Sequence, residues 1–148
     1  MQSELKREAM LRFTEAWHRI ENLYDVYAKS QGMNFTAILV LEYLSSPGEI
    51  YTQKALCEKL SLPKQTVNVI VNSFREQGYV QLTEAKDRRN KELALTDEGK
   101  KYAEKISGHF QTMEAKTWEC FAENELLAFV ETTEKYEKSL ANVVSQFL

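Results

Sequence analysis

Residues 52–99, TQKALCEKLSLPKQTVNVIVNSFREQGYVQLTEAKDRRNKELALTDEG, decide the fold. Thr52 has the side chain of a helix N-cap, and the stretch behind it, 53–60, turns Ala55, Leu56 and Leu60 inward, with Cys57 on the same side. Ser61-Leu62-Pro63 interrupts it, and Pro63 suits a position at or just before the start of a second helix. That second helix carries Val67, Ile70, Val71 and Phe74 at i, i+3, i+4 and i+7, one apolar face, and Gly78 supplies the left-handed residue that stops it. Two short helices joined by a turn of this length have helix-turn-helix spacing. Tyr79–Thr83 then alternates as a strand should, Leu93–Leu95 does so more briefly, and the charged run from Glu84 to Asn90 between them has hairpin length.

A helix-turn-helix followed by a two-stranded hairpin is a winged helix. Outward from it the chain reads as helix in both directions. Phe13, Trp17, Ile20, Tyr24 and Tyr27 follow gaps of four and three, Gly32 caps that helix, and Asn34 opens another with Ile38, Leu41 and Leu44. Beyond the hairpin, a helix rich in Lys and Glu runs from Asp97 towards Cys120. A last apolar stripe joins Leu126, Phe129, Thr133, Tyr136, Leu140, Val143 and Phe147. Such stripes either pack on the middle of the chain or form a helical dimer interface; aromatic-rich seams at opposite ends would leave a large apolar surface in a single copy, which favours dimerisation. The expected class is mainly α with a small β-hairpin wing. A single domain, 1–148, is expected, with a winged lobe at 34–96 and a dimerisation region at 1–30 and 97–148.

Length and composition agree. At 148 residues, with 43% hydrophobic and 28% charged, the chain can bury a core and is neither disordered nor membrane-spanning. The N-terminus lacks the apolar stretch of a secretory signal, and two cysteines make no disulfide scaffold, so a reducing cytoplasmic setting is expected. The net charge of −3 hides an asymmetry: Lys54 to Lys91 holds eight Lys/Arg against four Asp/Glu, whereas both flanks are acidic. One basic island in an acidic chain points to an anionic partner.

The helix pair, Gly78-Tyr79-Val80, Asp87-Arg88-Arg89-Asn90 and Leu95-Thr96-Asp97-Glu98-Gly99 together closely resemble the MarR family of multiple-antibiotic-resistance-type regulators. The resemblance implies a homodimeric, ligand-responsive transcriptional regulator that grips double-stranded DNA with two winged lobes. It implies that Arg89 enters the minor groove and that Asp87 positions it, with Arg88 and Lys86 on phosphates.

Setting the buried face of the second helix places Gln65, Val69, Asn72 and Glu76 opposite it, with Asn68 at the edge. Base reading falls to the first turns of a recognition helix, so Lys64, Gln65, Thr66, Asn68 and Val69 are the candidates. Gln and Asn pair bidentately with adenine, and an outward Val meets a thymine methyl. Lys54, Lys59 and Arg75 are weaker candidates for backbone contact. The resemblance makes Trp17, His18, Tyr24, Phe35 and Tyr43 candidates for a small-molecule cleft of the kind the family has, which a small aromatic effector would fill; aromatics at helical spacing are more often simply core.

Enzyme chemistry finds no support in the sequence. There is no Gly-rich phosphate loop, nucleophile elbow or paired zinc-ligand histidines, and His18 and His109 sit on separate helices. No cofactor or metal is expected. Cys57 reads as a structural thiol and Cys120 lies beside Trp118 and Phe121. The alternative to DNA binding is a winged-helix module for protein interaction, which has no use for an arginine-tipped wing.

Overall fold

The computed structural model describes residues 2–83 and 91–148, the side chain of Gln2 excepted. Among the described residues, six helices and three strands follow in the order α1 (Gln2–Ser30), α2 (Phe35–Ser45), β1 (Tyr51–Thr52), α3 (Gln53–Leu60), α4 (Lys64–Glu76), β2 (Val80–Thr83), β3 (Glu92–Leu95), α5 (Asp97–Trp118) and α6 (Glu123–Phe147). The chain divides into two compact units, 1–108 and 109–148, with the boundary inside α5.

Local chemistry sets the ends of these elements. Asn34 accepts from the Ala37 N–H at 2.8 Å and Thr52 from the Ala55 N–H at 3.1 Å, each satisfying a first-turn donor that α2 or α3 would otherwise leave open. Gly32 and Gly78 take φ of +76° and +79°, which end α1 and α4 as expected. Ser61 closes α3 in the same left-handed region, at φ +51°, without a glycine's freedom.

The core of the first unit gathers Ile38, Val40, Leu41, Leu56, Val67 and Val71, all essentially inaccessible. All four residues expected on the inner face of α4, Val67, Ile70, Val71 and Phe74, are buried. On α3 only Leu56 is buried. Ala55, Cys57 and Leu60 are half-buried, a correction to the expected inward trio and thiol: a helix of two turns rests on the lobe along one edge.

The sheet is antiparallel with strand order β1-β3-β2. Val80 pairs with Leu95 and Leu82 with Leu93, so the hairpin holds; β1 adds a third strand that the sequence did not suggest, Tyr51 opposite Leu93. Two residues are too few to show alternation.

Behind the hairpin, Thr96 fastens α5 to the end of α4. Its hydroxyl donates to the Gly78 carbonyl at 2.6 Å and accepts from the Gly99 N–H at 3.0 Å, while its own N–H donates to the Tyr79 carbonyl at 2.9 Å. A Cβ on Gly99 would sit 1.9 Å from the Tyr79 carbonyl oxygen, so only glycine fits there. The Tyr79 ring stacks on Tyr102 at 4.2 Å. The Leu-Thr-x-x-Gly segment is thus a buckle between recognition helix, hairpin and α5.

Candidate nucleic-acid interface

Because α4 is anchored by four buried side chains, its opposite face is rigidly presented. Lys64, Gln65, Thr66, Asn68 and Val69 are exposed, Val69 at 63%, and Asn72 is half-buried. Neither Lys64 nor Gln65 has a side-chain hydrogen bond or ion pair to another described residue. Asn68 does: its Oδ1 accepts from Gln53 Nε2 at 3.2 Å and from Asn72 Nδ2 at 3.4 Å. Gln53, the first residue of α3, was not among the expected site residues. Its contact spans fifteen residues and a turn, and no local periodicity signals it.

An open groove separates α4 from the hairpin, lined among others by Asn72, Arg75, Gln81 and Lys91, with one acid, Glu76. Lys54, a weaker candidate, lies 4.0 Å from Glu58 in an exposed pair. Lys86, Asp87, Arg88 and Arg89 lie outside the described residues.

Of the five aromatic-cleft candidates, the structure brings Tyr24 and Phe35 together. Tyr24 stacks on Phe35 at 4.5 Å, joining α1 to α2, and Tyr43 meets Tyr51 edge-on at 5.7 Å. Trp17 is half exposed beside Phe13, its indole N–H donating to Glu21 at 2.8 Å, and His18 is exposed. The Tyr51 hydroxyl donates to Glu49, and that hydrogen bond above all raises its pKa to about 12. Burial raises those of Tyr27 and Tyr102, each helped by a neighbour, Glu42 and Tyr79 respectively. These phenols stay protonated at ordinary pH.

On the second unit, the α6 stripe faces outward. Phe129, Tyr136, Leu140 and Val143 are each about half exposed, Phe147 is 84% exposed and Leu126 is half-buried. Trp118 packs on both Phe121 and Phe129, closing the bend between α5 and α6. Cys120, exposed, donates to the Thr117 carbonyl. Among the described residues no three His, Cys, Asp or Glu could hold a metal ion, and no helix is long and apolar enough to cross a membrane.

Residues 31–90 match the model of the MarR family. Among solved structures, NMB1585, a MarR family regulator from Neisseria meningitidis, is 27% identical with a TM-score of 0.82, over 95% of this chain and 99% of its own. Over residues 31–90, and in its fold, the chain is similar to MarR family regulators. Two structures of MepR from Staphylococcus aureus share this MarR fold at 21% identity. One, in the DNA-binding conformation, has a TM-score of 0.74 over 89% of this chain and 98% of its own; the other, a complex with DNA, has 0.71 over 88% and 96%. No curated protein matches the sequence.

Proposed function

We propose that this chain is a member of the MarR family and a cytoplasmic transcriptional regulator that binds a pseudo-palindromic duplex as a homodimer, represses, and is released by a small aromatic effector. The observation that carries the DNA reading is the α4 face: a polar surface of amides and a lysine, held rigid from behind, beside a groove that carries Arg75 and Lys91. A helix fits the major groove, about 12 Å wide, and amides there read base edges. The MepR–DNA complex, a protein of the same fold, supports the same use of it.

The exposed stripes of α1 and α6 support a homodimer. Phe13, Trp17 and Ile20 on α1 and Tyr136, Leu140 and Val143 on α6 are surfaces a second copy would cover. On this reading 34–96 is the DNA-binding lobe and 1–30 with 97–148 the dimerisation region of one domain. Two recognition helices about 34 Å apart would then read a palindrome. Release by an effector rests on the aromatic pairs at α1 and α2, Tyr24 on Phe35 above all.

Fluorescence anisotropy on a random duplex across a salt series tests the reading. Affinity should fall steeply with salt. Lys86→Ala should lower the slope by about one for each phosphate left without its lysine, and Arg89→Ala should cost about 1–3 kcal/mol without unfolding. A flat salt dependence in the wild type would favour the protein-interaction module.

A further inference from the structure

We propose that Gln53 acts as a positioning residue that turns Asn68 into a reader of guanine rather than adenine; the proposal rests on the DNA-binding reading of α4. A free asparagine amide offers an acceptor and a donor side by side, which matches the N6 amine and N7 of adenine. Asn68 is not free. Gln53 Nε2 donates to its Oδ1 across the helix-turn-helix at 3.2 Å, and Asn72 Nδ2 donates to the same oxygen from the next turn of α4 at 3.4 Å. Two donors occupy the two lone pairs of that oxygen. Turning the Asn68 amide over by itself would bring its NH2 against two other NH2 groups, so with Gln53 and Asn72 in this orientation the oxygen faces inward.

What Asn68 has left for a partner is its two N–H groups. In the major groove, guanine presents two adjacent acceptors, O6 and N7, whereas the amine of adenine would meet a second donor and find no acceptor. Gln65 is exposed one turn earlier on α4, with both ends of its amide unengaged among the described residues, and it retains the adenine-type pairing. The helix thus presents two amides of different character, Gln65 with donor and acceptor, Asn68 with donors alone. Gln53 need not touch a base to produce this difference; it acts through the oxygen it occupies.

Selection from a randomised duplex pool, with wild type, Asn68→Ala and Gln53→Ala in parallel, tests the proposal, each variant first checked for an unchanged melting curve. Asn68→Ala identifies the position in each half-site that Asn68 reads, as the one whose preference disappears. In the wild type that position should be guanine, with adenine disfavoured about tenfold or more. Gln53→Ala frees one lone pair, which is enough for the adenine amine, so the guanine-to-adenine ratio there should fall about tenfold while other positions hold. Adenine at that position in the wild type, or a ratio untouched by Gln53→Ala, overturns the proposal. If the wild type selects a sequence but Asn68→Ala erases no position, the proposal fails and the DNA reading survives. If the wild type enriches nothing, the DNA reading fails and takes the proposal with it.

Discussion

Helices α4 and α6 carry apolar stripes of the same three-four spacing and end in opposite situations. In α4 the stripe is buried, Val67, Ile70, Val71 and Phe74 all at 7% exposure or less; in α6 no residue is buried at all. The pattern of a helix states that it has an inner face. What covers that face depends on chain that the pattern does not describe. For α4 the cover is local, from α2, α3 and the hairpin, within the first unit. For α6 the second unit supplies the bend at Trp118, which uses Phe129, and the stripe from Tyr136 to Phe147 is about half exposed or more.

Phe74→Ala is the harshest way to break this contrast. Removing a buried ring from the α4 face should cost about 3–5 kcal/mol, read as a lower midpoint in urea. An unchanged midpoint would mean that the inner face of α4 is not the core of the lobe. Gly99→Ala comes next, because the added methyl would lie 1.9 Å from the Tyr79 carbonyl oxygen, which is backbone and cannot swing away. A loss of about 1–3 kcal/mol or more is expected. Wild-type stability in this variant would show that α5 is not buckled to the end of α4.

How much of this was legible in the sequence follows from the range of each interaction. The α4 face, the caps Asn34 and Thr52, and the stops at Gly32 and Gly78 depend on residues three or four apart, and all stand in the structure where the spacing puts them. The strand β1 did not show, since Tyr51 and Thr52 are identified only by what they pair with, Leu93 and Glu92. Gln53 escaped for the same reason: its bond to Asn68 exists because two helices cross. Thr96 and Gly99 stand out in the sequence only through the family resemblance, because their physical role depends on where the Tyr79 carbonyl lies. The wing residues from Lys86 to Arg89 lie outside the described residues.

A smaller test sharpens the local half of the comparison. Ser61 holds φ +51° at the turn between α3 and α4, where a side chain is strained and glycine is not. Ser61→Gly should therefore raise stability by about 0.5 kcal/mol. The left-handed penalty of about 1–2 kcal/mol is relieved and partly offset by glycine's freedom in the unfolded chain. A clear loss would mean that the Ser61 side chain contributes more to the turn than its backbone costs.

The claim that α6 is completed by a second copy is tested most directly by sedimentation at micromolar concentration, comparing the wild type with a Tyr136→Glu, Leu140→Glu double variant. Both positions lie mid-stripe and about half exposed, outside the unit that holds α4. The wild type should sediment at twice the chain mass. The double variant should sediment as a single chain whose helical signal survives, because charges placed in an apolar interface lose their water without gaining partners. A wild type that stays a single chain, or a folded double variant that remains dimeric, would contradict the account.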